Sequence, residues 1–81
     1  MDLEKSIDEI AVVLSGIEIL DKKAIEVIEL AKAYASDAKH FLSENKEDAL
    51  EAYTIAWAYL DSLLHFGFID VSDKSLFTVD Q

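Results

Sequence analysis

The sequence predicts an all-α fold: an antiparallel three-helix bundle built on a long helical hairpin, with an extended C-terminal arm. Three observations point there. The 81 residues include no Pro and only two Gly, Gly16 and Gly67, so little interrupts a helix. Apolar residues recur three and four positions apart over most of the chain, which is the spacing of one helix face. The stretch from Ala24 to Phe66 breaks once, at Glu44-Asn45-Lys46, and a break that short makes a tight turn between antiparallel helices. A chain of this length forms one domain with a modest core. Its 52% hydrophobic and 30% charged residues place it among globular sequences, not disordered ones.

The expected bundle covers residues 1–66, with helices at about 2–19, 22–44 and 47–66, and the arm covers 67–81. In the first helix Leu3, Ile7, Ile10, Leu14 and Ile17 are spaced four, three, four, three, as a narrow packing seam. Asp2 is its expected N-cap. Val12 falls nearly opposite the seam. Gly16 can end this helix or be carried inside it. Ile17 stays in register, so the expected helix runs on to 19. Asp21 is the expected N-cap of the second helix, whose seam is Ala24, Ile28, Ala31, Ala35, Ala38 and Leu42. Small residues on that seam let a neighbouring helix approach closely, and large, aromatic side chains are expected opposite them. The third helix has more apolar face than one partner covers, and only a thin polar stripe: Glu47, Glu51, Thr54, Asp61 and His65. Gly67 is its expected stop, with Phe68 making the apolar contact of a Schellman cap. Beyond it, Ile69, Val71, Phe77, Thr78 and Val79 read as extended chain, with a single turn expected at 73–76.

Composition excludes several classes of function. The absence of cysteine removes disulfides, thiolate nucleophiles and thiolate metal sites. The N-terminal Met-Asp-Leu-Glu-Lys has no apolar h-region, so no signal peptide and a cytoplasmic location are expected. The longest uncharged run, 52–60, falls well short of the roughly 20 apolar residues that span a bilayer. The net charge is −10 and the chain has no Arg, so neither nucleic acid nor an anionic membrane is an expected partner. Six of the acids, against one Lys, lie in residues 1–21, whereas 22–45 carry four of each sign. A basic partner would therefore meet the first helix and not the second, but the favoured reading of this acidity is a solvated face that keeps a small protein soluble.

Two segments carry a family likeness. Tyr34-Ala-Ser-Asp-Ala-Lys-His-Phe-Leu42, a polar turn, and then Asp48-Ala-Leu-Glu-Ala-Tyr-Thr-Ile-Ala-Trp-Ala-Tyr-Leu-Asp61 resemble the archaeal DUF357 family. That family has a pattern close to Y-x-x-D-A-x-x-F-L followed by A-L-x-A-x-x-Y-A-x-G-x-L-D-A. The likeness spans about residues 29–69. It departs at Ile55, where the family has Tyr, and at Ala58, where it has Gly. It implies a short, all-helical, cytosolic archaeal protein and no assigned activity. Ala49, Tyr53 and Ala56 also resemble the small-aromatic-small triplet of a single tetratricopeptide hairpin. One copy cannot form the stacked array those repeats need.

Candidate chemistry is sparse. Asp37 and His40 are three apart, and Asp61 and His65 four apart, so each pair shares a helix face and could hold a metal or share a proton. The hairpin geometry sets the two pairs on the order of 20 Å apart along the helix axis, which forbids one shared four-ligand site. Asp37 and Asp61 also fall at the margins of apolar faces, where a partly buried carboxylate needs a hydrogen-bond partner. No Gly-rich phosphate loop and no Ser–His–acid set at a strand-to-helix elbow is present, so neither an enzyme nor a cofactor is expected. The expectation is a small interaction or scaffold module that self-associates or binds another protein. Val12, Trp57, Tyr59, Phe68 and Phe77 are its candidate interface residues. The alternative is a small-molecule or metal-binding domain that uses the margin acids and a His.

Overall fold

The computed structural model describes residues 2–72. Its elements in order are α1 (Leu3–Ser15), β1 (Glu18–Ile19), α2 (Ala24–Phe41), α3 (Lys46–His65) and β2 (Ile69–Asp70). The fold is all-α: α2 and α3 form the hairpin, α1 packs on it, and a two-residue ribbon ties the exits of α1 and α3 together.

Local capping sets the boundaries. The Asp2 carboxylate accepts the Lys5 N–H at 3.1 Å and opens α1. This helix stops at Ser15, four residues short of the expected end. The Gly16 N–H turns back to the Val13 carbonyl at 3.1 Å, and the Ser15 hydroxyl donates to the Val12 carbonyl at 2.6 Å. Ile17 keeps its place against the core from a non-helical position, which is why the apolar spacing outruns the helix. Asp21 caps a lead-in turn, accepting the Lys23 N–H on its carboxylate and the Ala24 N–H on its carbonyl, both at 2.9 Å. α2 proper therefore begins at Ala24. In the hairpin turn the Asn45 N–H donates to the Phe41 carbonyl, and the Asn45 side chain caps α3 through the N–H groups of Glu47 and Asp48.

α3 ends in the Schellman cap expected from Gly67 and Phe68. The Phe68 N–H donates to the Leu63 carbonyl at 3.0 Å and the Gly67 N–H to the Leu64 carbonyl at 3.1 Å. Gly67 takes φ +77°, a backbone conformation that glycine reaches without a Cβ penalty. The reversal sends Ile69–Asp70 back along Glu18–Ile19, antiparallel, with Ile19 opposite Ile69 and Glu18 opposite Asp70. Ile69 and Val71 are buried, so the arm packs on its own bundle at least as far as Val71. The expected turn at 73–76 and the interface candidate Phe77 lie outside the described residues.

The core follows the seams closely. In α1, Ile7, Ile10 and Leu14 are buried, flanked by half-buried Leu3 and Ile17. In α2, Ala24, Ile28, Ala31, Ala35 and Ala38 are all buried. The buried stripe of α3 is Ala49, Ala52, Tyr53, Ala56, Leu60 and Leu63. Tyr53 is the one aromatic in that stripe, and Trp57 and Tyr59 pack half-buried against the same core. Both stripes are rich in alanine, whose small side chains permit close approach of the two helices. The larger rings move to the flanks. Tyr59 packs on Tyr34 with centroids 6.0 Å apart, and Trp57 meets the Tyr53 ring edge-on at 6.5 Å.

Candidate functional site

The acid–imidazole pairs remain apart. Among the described residues no group of three or more His, Asp or Glu side chains is placed to hold a metal. His40 faces Glu44 one turn on, at 3.2 Å, and not a ligand set shared with Asp37. His65 lies edge-on to Phe66 at 5.6 Å. Asp37, expected at a partly buried margin, is exposed. Its neighbours one turn either way, Tyr34 and Phe41, are half-buried, so the rings take the margin and the carboxylate stays in water.

Asp61 differs. It is half-buried, and its Oδ1 is enclosed by protein without a hydrogen-bond partner. The neighbouring Trp57 N–H, a potential donor, is directed to the Tyr53 hydroxyl instead. A buried acceptor left unsatisfied costs on the order of 1–3 kcal/mol. Asp61→Leu, which removes both oxygens and keeps a large side chain, should therefore stabilise the fold by about 1 kcal/mol, read as a raised denaturation midpoint. An unchanged or lowered midpoint would show that the carboxylate is satisfied in solution.

The interface candidates divide by position. Trp57 and Tyr59 are half-buried against the core, each covered in part by an aromatic of the same hairpin. Phe68 is half-buried, with the Lys23 ammonium 5.9 Å from its ring centroid. Val12 stands out at 71% exposure on the outer face of α1.

The structure adds a cluster that periodicity alone passes over. At the end where α3 stops and the ribbon forms, Ile19 is 44%, Leu20 56% and Phe66 66% exposed. All three lie at this end of the bundle. The Leu20 N–H donates to the Phe68 carbonyl at 3.0 Å, and the Phe66 and Phe68 rings lie 5.9 Å apart. The signal in the sequence was positional. Phe66 immediately precedes the αL glycine and Leu20 precedes the Asp21 cap, so both sit where a helix has run out of neighbours.

Two hollows flank α1. One of about 590 Å³ lies between α1 and α2, walled by Ile7, Leu14 and Ala35. Across it the Lys39 ammonium meets the Asp8 carboxylate at 2.7 Å. That hydrogen bond, and then the Asp8 charge, hold Lys39 above the ordinary lysine range. The other hollow, about 570 Å³, lies on the outer face of α1. Among the described residues no helix is long and apolar enough to cross a membrane.

A family model described as "Protein of unknown function (DUF357)" matches residues 2–69. The match takes in α1, β1 and the first residue of β2 as well as the hairpin. No curated protein and no solved structure matches the chain.

Proposed function

We propose, from the premise that the chain belongs to the DUF357 family of proteins of unknown function, that it is a non-enzymatic, cytoplasmic interaction module that self-associates through one end of its bundle. The observation that carries this reading is that three large apolar residues, Ile19, Leu20 and Phe66, are exposed at the end of the bundle where the ribbon forms, with the Phe66 ring on Phe68. Charge favours a second copy as the occupant. Around that end Glu18, Asp21 and Asp70 are nearly balanced by Lys22 and Lys23, in a chain of net charge −10. Two copies can meet there with little repulsion, whereas contact through α1 would set acids against acids. The patch is small against the roughly 800 Å² per partner of a standard interface, so the association is weak and concentration-dependent.

Sedimentation equilibrium tests the reading. The chain should dimerise in the micromolar-to-millimolar range, and Phe66→Lys should weaken the dimer by about ten-fold or more while leaving the helical circular dichroism intact. A chain that stays monomeric at about 1 mM, or a dimer indifferent to both Phe66→Lys and Leu20→Lys, would sink the proposal.

A second reading, a small-ligand or metal site, is favoured by the unpartnered Asp61 Oδ1. It requires that Zn²⁺ binding, measured by calorimetry, be lost in Asp61→Asn. Zinc binding that survives that substitution rules it out.

A further inference from the structure

The outer hollow of α1 combines two features that a solvated helix face does not. Its rim is acidic: Asp2, Glu4, Asp8 and Glu9 surround it, with Lys5 the one opposing charge. Its apolar lining is exposed Val12 and half-buried Val13 on α1, with buried Val71 on the segment after β2. Val12 is 71% exposed in the midst of those acids. Asp2 is engaged as the N-cap of α1 and Asp8 is paired with Lys39, but Glu4 and Glu9 have no ion-pair partner among the described residues. A helix of 13 residues offers a face about 20 Å long, enough for three to four turns of a partner helix.

We propose that this groove docks a basic amphipathic helical segment of another protein. The apolar stripe of that segment lies on Val12, Val13 and Val71, and its Lys or Arg side chains lie over Glu4, Glu9 and Asp2. Charge complementarity selects this occupant. A second copy would bring the same acids to the groove, and an anionic membrane or nucleic acid would be repelled by them. The site is separate from the Phe66 end, so either surface can fail its test without the other.

The test titrates the full chain with a synthetic lysine–leucine amphipathic helix of about 14 residues by calorimetry, at low and at about 0.5 M salt. One-to-one binding that weakens with salt is expected. Val12→Asp should weaken it about ten-fold or more, by placing a charge on the apolar lining. The double variant Glu4→Gln, Glu9→Gln should weaken it several-fold and flatten the salt dependence. The control Glu47→Gln, Glu51→Gln removes the same charge from exposed positions of α3 and should leave the affinity within about two-fold. Three results would overturn the proposal: no binding at about 1 mM peptide, a control as damaging as the Glu4 and Glu9 variant, or a change in the sedimentation of the free chain caused by Val12→Asp. The second would mean attraction by net charge alone, and the third that the groove holds another copy.

Discussion

Leu60→Ala should lower the free energy of unfolding by about 2–5 kcal/mol, the cost of lost burial plus the cavity left behind. Leu60 is wholly buried, and it is the largest side chain of α3 in that condition. It lies where the alanine half of the α3 stripe gives way to the leucine half. A chain of this length has roughly 4–12 kcal/mol in total, so the substitution removes a large share of it. Urea denaturation followed by circular dichroism should show a lower midpoint with an unchanged slope. A loss below about 1 kcal/mol would mean that α3 is not clamped at this point.

Ala56→Leu tests the close approach of the hairpin helices directly. Ala56 is fully buried, as are Ala31 and Ala38 on the α2 stripe. Three added carbons at such a seam force displaced rotamers or separated helices, at about 1–3 kcal/mol or more. The matched control is Ala58→Leu, two residues along the same helix but exposed, which should change stability by less than about 0.5 kcal/mol. Equal effects at the two positions would refute tight packing around Ala56.

The seams were legible in the sequence because they are periodic and long. All five buried residues of α2 stood on the predicted stripe, and Val12 was placed opposite the α1 seam where it is in fact exposed. Gly67 and Phe68 announced the Schellman cap, because few other arrangements use a glycine and an apolar residue in that order at a helix end. Other features leave no such trace. The ribbon has two residues per strand, too few to establish an alternating pattern. The end of α1 was hidden by Ile17, which keeps helical register after the helix has stopped. Which helix faces supply the core was readable, but how the rings pair was not: Tyr59 meets Tyr34 across the hairpin, and Trp57 meets Tyr53 within α3. The candidate acids show the same limit. A helical wheel gives Asp37 and Asp61 similar margins, yet one stands in water and an oxygen of the other is enclosed.

The ribbon between Glu18–Ile19 and Ile69–Asp70 has a kinetic consequence. It joins segments that have the whole hairpin between them in sequence, so it forms only after a long loop closes. α2 and α3 need only one tight turn to meet. The hairpin is therefore the unit that assembles first and opens last, and α1 with the ribbon is a second cooperative unit laid over it. In native-state hydrogen exchange the Leu20 and Asp21 amides, both bonded to the Phe68 carbonyl, should trade their protons together and faster than the amides of Ala31 and Leu60.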